Sequence, residues 1–161
     1  MSDSQNALRF TTATKEILVM RITSVTTITT ACLFSLSLIA TSACADTPSG
    51  LLAGYVAAAA KTAPGFTPSA QRGQDFFSRE WSATPRMPAC ASCHGKDLKA
   101  DGKHVITARV ISPLAPSANP KRFTNPAKVE KWFKRNCTEV TGRECSAAEK
   151  ADFIQFVLQT K

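Results

Sequence analysis

The feature that most constrains this chain is the segment Cys90-Ala-Ser-Cys-His94, a C-x-x-C-H motif. Such a motif is the signature of c-type haem attachment. Each of the two thiols can add to one vinyl group of a single haem, and the imidazole of the next residue can then bind the iron. The motif therefore predicts one covalently attached haem c held by Cys90, Cys93 and His94.

The same residues allow two other interpretations, a redox-active thiol pair and a zinc site. A thioredoxin-like pair would be accompanied by a βαβ pattern, which the flanking sequence lacks. A zinc site would need a histidine that completes a tetrahedron with both sulfurs, and His94 directly follows Cys93. Both interpretations fit these residues less well than haem does.

The N-terminal part of the chain predicts export. Residues 22–40 carry no charge, Lys15 and Arg21 precede them, and Ala43-Cys44-Ala45 follows. A positive segment, an apolar core and an A-x-A site are typical of a signal peptide, so we expect cleavage near Ala45 and a periplasmic protein. A membrane anchor is the alternative, but the many Thr and Ser residues in this stretch disfavour it. Met20 is an alternative start.

Helix signals divide the rest of the chain into two parts and predict an all-α fold. We expect a signal peptide over residues 1–45, an N-terminal extension with a short Ala-rich helix over 46–68, and one domain over 69–161. No strand pattern competes with the helical periodicity. The predicted helices are one capped by Ser49, one over Ser69–Trp81 in which Gly73 permits a close crossing, one over Ala127–Arg135 preceded by the cap Asn125, and one opened by the capping box Ser146–Glu149.

The cysteine count is consistent with export. Cleavage of the signal would remove two of the six cysteines, and two of the remaining four are Cys90 and Cys93. The other two, Cys137 and Cys145, lie eight positions apart in a compartment that permits disulfides. A bridge over so short a loop would stabilise the fold by roughly 2–3 kcal/mol in the chain-entropy model. No thiol is then left over.

The charge balance is basic, with a formal net charge of +8. Removing the signal takes away three basic and two acidic residues, which leaves a basic mature protein. A basic surface suits an acidic redox partner or an anionic surface through long-range attraction. A solvated lysine-rich face is the alternative. No basic motif interleaved with aromatic residues is present, so we expect no nucleic-acid partner, and membrane contact only through the redox partner.

A methionine is the usual sixth ligand of a small monohaem cytochrome, and this chain lacks one in the usual place. No methionine follows His94. Met87 is three residues before Cys90, too close to the attachment segment to reach the opposite haem face. His104 lies in a polar segment, and a solvated loop histidine explains it better than a second imidazole ligand does.

Asn136 then becomes a candidate ligand. It continues the apolar face formed by Val129, Trp132 and Phe133, and it lies at the C-terminal end of the predicted helix. A buried amide requires a hydrogen-bond or ligand partner. Asparagine is also common where helices end, so the residues alone leave both interpretations open.

Several segments of this chain resemble the sphaeroides haem protein family. The resemblance covers about residues 69–161 and does not extend to the Ala-rich stretch 51–61. The segments that carry it are Cys90–His94, Pro113–Asn125, Lys128–Cys137 and Gly142–Ser146.

The resemblance implies a class I cytochrome c-like fold around one haem, with His94 and Asn136 as iron ligands in the oxidised state. It also implies a Cys137–Cys145 disulfide beside the ligand. In that family the asparagine leaves on reduction and opens high-spin iron to oxygen or nitric oxide, and a dihaem cytochrome c is the redox partner. The chemistry is consistent, because a neutral amide oxygen is a hard donor that holds ferric iron better than ferrous iron.

The leading functional hypothesis is an exported monohaem cytochrome c that exchanges electrons with a partner and binds a small diatomic ligand when reduced. A plain electron carrier, with its sixth position occupied in both oxidation states, is the first alternative. An oxygen- or nitric oxide-reducing enzyme is the second, although no second cofactor or acid–base group is evident. The third is a sensor whose disulfide gates Asn136.

Overall fold

The computed structural model describes residues 47–161, so the predicted signal peptide with Cys32 and Cys44 lies outside the described residues. Within this part no helix is long and apolar enough to cross a membrane. The elements in chain order are α1 (Pro48–Ala60), α2 (Ala70–Ser78), α3 (Cys90–His94), β1 (Gly102–Lys103), β2 (Val110–Ile111), α4 (Pro126–Thr141) and α5 (Ala147–Gln159).

The helix N-termini follow from local capping. Ser69 caps α2 by accepting from the Arg72 N–H, and Asn125 caps α4 with Pro126 at the first helical position. The capping box predicted at Ser146 opens α5. At α1 the prediction of Ser49 as the cap is wrong. The helix begins at Pro48, whose missing N–H costs nothing there, and the preceding threonine hydroxyl accepts from the Gly50 N–H at 3.0 Å.

Two helix C-termini differ from the prediction. Helix α2 ends at Ser78, because Arg79 is extended, so Trp81 lies in the following loop. Helix α4 continues to Thr141 and ends where Gly142 adopts a left-handed conformation with φ of +75°, which glycine adopts without steric cost. Asn136 is therefore inside a helix, and the helix-terminus interpretation of this residue is wrong.

Helices α2 and α5 cross at Gly73, as the sequence predicted. A Cβ at this position would lie 2.0 Å from the Asp152 carbonyl oxygen and 2.9 Å from Phe156 Cβ. The buried Asp152 carboxylate binds Arg72 Nε at 2.7 Å and accepts from the Ser69 N–H at 2.7 Å. The crossing is thus fixed both by backbone contact and by a charged pair at the start of α2.

The core is built by α1, α2, α5 and the long segment between α3 and α4. Phe77, Ile154 and Val157 are its fully buried large side chains. Helix α1 contributes Leu51, so the Ala-rich helix shares this core. Phe77 and Phe153 stack at 6.0 Å between ring centroids, and Phe153 meets Phe133 of α4 edge to face at 5.7 Å.

A small hairpin between α3 and α4 was not predicted. Strands β1 and β2 pair antiparallel, with Gly102 opposite Ile111 and Lys103 opposite Val110. Each strand has two residues, which is too short for a period-two pattern to show in the sequence. The rest of this segment is loop, in agreement with the prolines that the sequence places there.

Candidate haem site

The attachment segment forms the single-turn helix α3. Its start is stabilised by the Ala89 N–H, which donates to Ser92 Oγ at 3.2 Å. It ends at Gly95, which has φ of +74°. Cys90 and Cys93 are free thiols, both half-buried. Cys90 and Cys93 are three positions apart, so both thiols and the His94 imidazole belong to one helical turn.

Strand β1 lies directly against this segment. A Cβ on Gly102 would be 2.4 Å from the Cys93 carbonyl oxygen and 2.9 Å from His94 Cα, so only glycine fits. At the turn of the hairpin the Val105 N–H lies 3.5 Å from Cys93 Sγ. The hairpin therefore holds the backbone of the attachment segment from one side.

A cavity of about 510 Å³ lies between α3 and α4. Cys90, Cys93 and His94 line it together with Asn136, so the four predicted site residues come to one place. Much of the remaining wall is apolar. It is formed by Phe76, Phe77, Met87, Leu114, Phe123, Val129, Phe133, Val140 and Phe153.

The His94 imidazole is suited to bind a metal. Burial, with smaller effects of Arg122 and His104, lowers the pKa of His94 from 6.5 to about 4, so the ring is neutral near pH 7 and keeps a nitrogen lone pair available. Its ring packs beside Phe77 at 6.4 Å between centroids. Within residues 47–161 its nitrogens make no hydrogen bond.

The Cys90 thiol is protonated before any attachment. Burial, followed by the neighbouring Cys93, raises the pKa of Cys90 to about 11, and a backbone hydrogen bond offsets part of this rise. A buried, neutral thiol is a poor redox nucleophile. This environment disfavours the redox-active thiol pair.

Asn136 lies inside α4, half-buried, and lines the cavity. Its amide forms no hydrogen bond with any other described residue. The amide is not a fully buried polar atom, so it is accessible to water or to a group placed in the cavity. Its role as an iron ligand stays a prediction.

Two other residues that could coordinate a metal line the same cavity. Met87 is buried there. His104 is half-buried rather than fully solvated, and its Nδ1 accepts from the N–H groups of Ile106 and Thr107, both at 3.2 Å. One ring nitrogen of His104 is therefore committed to the hairpin turn.

The disulfide lies one residue beyond Asn136. Cys137 and Cys145 are joined, with 5.6 Å between their Cα atoms. Phe76 packs with them, and Cys90 and Trp81 pack against this group. Trp81 Nε1 is the buried side-chain polar atom without a hydrogen-bond partner among the described residues.

The polar part of the cavity wall is strongly cationic. A haem carries two propionate carboxylates, which basic side chains in the wall can neutralise. Glu139, the acidic residue of the wall, is bonded to Arg135 at 3.0 Å. The basic lining residues are Arg109, Lys121, Arg122, Lys128 and Arg135. Two thiols, a neutral imidazole, an amide and this charge set fit a haem c, which Cys90, Cys93 and His94 would hold.

Comparison with known proteins also identifies c-type cytochromes. Residues 64–157 match the model of a family described as a domain of unknown function (DUF1924). The chain is 45% identical over 111 residues to the cytochrome c-type protein SHP of Cereibacter sphaeroides, covering 68% of this chain and 81% of that protein.

Two solved structures have the same fold. The structure of oxidised SHP, described as an oxygen-binding cytochrome c, matches with a TM-score of 0.64 and 45% identity over 70% of this chain and 96% of that chain. The solution structure of cytochrome c'' from Methylophilus methylotrophus, which concerns haem-ligand detachment, matches with a TM-score of 0.63 and 40% identity. That match covers 71% of this chain and 94% of the other.

The fold and the site therefore define a monohaem cytochrome c of the all-α class, with one covalently bound haem c. More narrowly, this chain belongs to the sphaeroides haem protein family. The predicted family, fold class and cofactor are confirmed.

Sequence reasoning gave no role to Arg122. Its guanidinium lines the cavity, and its Nε donates to the Pro113 carbonyl at 2.7 Å. The next residue, Phe123, is buried with a φ of +59°, which is unusual for an aromatic residue. The strained backbone turns Arg122 and Phe123 into the cavity wall, and no periodicity in the sequence signals such a turn.

Proposed function

We propose that this chain is an exported cytochrome c that accepts electrons from an acidic redox protein and binds a small diatomic ligand when reduced. Asn136 would hold the sixth position of the oxidised iron and leave it on reduction. The observation that carries this proposal is the Asn136 amide, which lines the haem cavity without a hydrogen-bond partner among the described residues.

The residues of the chain have distinct tasks in this function. His94 supplies the fixed ligand, and Cys90 and Cys93 fix the haem by two covalent bonds. The bound haem supplies an iron that changes oxidation state and can take a sixth ligand. Asn136 offers one weak oxygen donor from a helix, so its departure requires no change in the backbone. The relative described as an oxygen-binding cytochrome c supports oxygen as a ligand class.

The test compares spin states by optical and EPR spectroscopy in both oxidation states. We expect the wild type to be low-spin when ferric, and high-spin and able to bind carbon monoxide when ferrous. Asn136→Ala should be high-spin in both states. Met87→Leu and His104→Gln are the matched controls and should leave the ferric spectrum unchanged.

The outcomes separate the alternatives. A ferrous wild type that stays low-spin and ignores carbon monoxide would indicate a plain electron carrier. A ferric spectrum that changes in Met87→Leu or His104→Gln, but not in Asn136→Ala, would assign the sixth position to that other residue.

The redox partner would dock at the mouth of the haem cavity. Two apolar side chains of the cavity wall are exposed, Val110 at 70% and Trp132 at 45%, and the same wall contains five basic residues. Apolar and cationic side chains together complement an acidic protein surface. The family resemblance implies that this partner is a dihaem cytochrome c.

Charge reversal tests this docking. Lys121→Glu should slow reduction by a reduced dihaem cytochrome c and weaken the salt dependence of the rate. Lys61→Glu, outside the cavity wall, is the control with the same change in net charge. Equal rates in the two variants would rule out the cavity mouth as the docking surface.

Export predicts a specific mature terminus. Cleavage after Ala45 leaves Asp46 as the first residue. Intact-mass measurement of holoprotein from a periplasmic fraction should give residues 46–161 plus one haem. A mass that includes residues 1–45 would contradict the export proposal.

A further inference from the structure

One carboxylate joins three helices of the described part of the chain. Glu130 of α4 accepts a hydrogen bond from Tyr55 Oη of α1 at 2.8 Å, through Oε2. Its other oxygen, Oε1, forms an ion pair with Lys150 Nζ of α5. The first, fourth and fifth helices are thereby linked through a single side chain.

Aromatic contacts extend this cluster to the wall of the haem cavity. Lys150 Nζ lies over the rings of Tyr55 and Phe133, at 5.6 and 5.8 Å from their centroids. The two rings meet edge to face at 5.7 Å. Phe133 lines the cavity. Tyr55 therefore contacts the haem site through the Phe133 ring.

The cluster is held together by the need to neutralise a buried cation. The Lys150 side chain is 10% exposed, and the Glu130 side chain is 50% exposed. A buried ammonium group requires a counter-charge. Burial raises the pKa of Glu130, but the hydrogen bonds from Lys150 and Tyr55 outweigh this effect and keep it below its ordinary value. Glu130 is therefore anionic and fixed between its two donors.

Helix α4 depends on such side-chain attachments. Among residues 47–161 the extensive helix packing is between α2 and α5 and between α1 and α5, and it does not include α4. Near its C-terminal end it is held by the Cys137 disulfide and by Thr84 Oγ1, which donates to the Glu139 carbonyl at 2.6 Å. Its N-terminal half is held by Glu130. Asn136 lies between these attachments, six residues after Glu130, or about 9 Å along the helix.

We propose that Tyr55, acting through Glu130 and Lys150, is a positioning residue that holds the Asn136 amide in place to bind ferric iron. The inference rests on the proposed function, in which Asn136 is the ferric ligand. Because Tyr55 belongs to α1, this helix would then influence how readily the iron exchanges its sixth ligand. When the Tyr55 attachment is lost, α4 can shift, and Asn136 competes less well with an external ligand.

The experiment titrates ferric holoprotein with imidazole, which competes with Asn136 for iron. Tyr55→Phe removes one hydroxyl and keeps the ring, so the aromatic contacts remain. We expect imidazole to bind about fivefold more tightly to this variant, which corresponds to the net contribution of one typical, partly exposed hydrogen bond. Ferrous carbon monoxide affinity should not change, because Asn136 is then already displaced.

Matched variants control for charge and folding. Glu144→Gln removes an exposed ion pair, at 3.4 Å, between the loop after α4 and Lys134 of α4, and should leave imidazole affinity unchanged. The double variant Glu130→Gln/Lys150→Met removes the carboxylate without leaving a buried cation, and it should reproduce the effect of Tyr55→Phe. Hydrogen exchange of the holoproteins should show faster exchange of α4 amides in both network variants.

Each outcome bears on one of the two proposals. Unchanged imidazole affinity in Tyr55→Phe, with tighter binding in Asn136→Ala, would overturn the positioning role and leave the proposed function standing. Unchanged affinity in both variants would overturn Asn136 ligation itself. A parallel rise in ferric imidazole and ferrous carbon monoxide affinity would show general loosening of the cavity, which also overturns the positioning role.

Discussion

The two sides of the haem cavity are built differently. On the attachment side, backbone meets backbone: Gly73 of α2 lies against the Asp152 carbonyl, and Gly102 of β1 lies against the Cys93 carbonyl. The loop after α3 is closed on itself by the Ala115 N–H, which donates to the Leu98 carbonyl at 2.9 Å. No side-chain rotation can relax these contacts.

On the Asn136 side, helix α4 is held by side chains. Its attachments are the Tyr55–Glu130–Lys150 cluster, the edge-to-face contact of Phe133 with Phe153, the Cys137–Cys145 disulfide and the Thr84 hydroxyl. Side-chain links can adjust by rotation, whereas backbone contacts at glycine cannot. Under the proposed function, the fixed ligand His94 would belong to the side held by backbone contacts, and Asn136 to the side held by side chains.

The strongest test of this contrast is Gly73→Ala. The added Cβ would lie 2.0 Å from a backbone oxygen that cannot move away without shifting α5. We expect a loss of about 3 kcal/mol in the free energy of unfolding, measured by denaturant titration of the holoprotein. Because Gly73 is not one of the residues that line the cavity, imidazole affinity of the ferric form should stay within about twofold.

Gly54→Ala in α1 is the control for this variant. Nothing lies within 4 Å of the position that its Cβ would occupy. Replacing glycine by alanine within a helix should stabilise the fold by about 1 kcal/mol. If Gly73→Ala and Gly54→Ala changed the free energy of unfolding equally, α2 and α5 would not be in tight backbone contact at Gly73.

The second test removes the disulfide. Cys137→Ser/Cys145→Ser should lower the free energy of unfolding by about 2.5 kcal/mol, the chain-entropy value for a loop of this length. Unlike Gly73→Ala, it should also increase ferric imidazole affinity, because it releases the end of α4 next to Asn136. A loss of stability with unchanged affinity would show that the disulfide does not position the ligand.

The smallest expected effect concerns Glu149 and pH. The hydrogen bond from Arg143 lowers the pKa of Glu149, burial opposes this, and the Ser146 N–H adds to the lowering. A carboxyl whose pKa is lowered in the folded state stabilises the fold above its ordinary value of 4.5, and this contribution is lost as the pH falls below that value. Glu149→Gln should therefore cost about 1 kcal/mol at neutral pH and less at an acidic pH below 4.5.

Parallel denaturation of wild type and Glu149→Gln at both pH values measures this effect. Glu144→Gln, which removes an exposed carboxylate nearby, serves as the reference. A difference between wild type and Glu149→Gln that grew on acidification would contradict the assignment.

The attachment side was largely predictable from sequence because its signals are local. The C-x-x-C-H spacing, the caps at Ser69, Asn125 and Ser146, and the role of Gly73 each depend on a few neighbouring residues. The structure agrees with each of them. The end of α4 was missed, because the choice between ending near Asn136 and continuing to Gly142 depends on where the disulfide loop packs.

The cluster that holds α4 had no local signal. Tyr55 and Glu130 are 75 positions apart, and neither residue type predicts the other. From the sequence alone, Lys150 is expected to be an ordinary surface lysine of a basic chain, but the structure buries it. Such contacts arise only when the three helices pack, so a single sequence could not reveal them.

Cys90 packs against the Cys137–Cys145 pair, so the two sulfur chemistries of this chain compete for neighbouring atoms. Four cysteines can pair in three ways, and a bridge between Cys90 and either partner would remove a sulfur that the haem needs. Closing the short Cys137–Cys145 loop first removes those two mispairings, and Cys90 and Cys93 must still be kept reduced until the haem arrives.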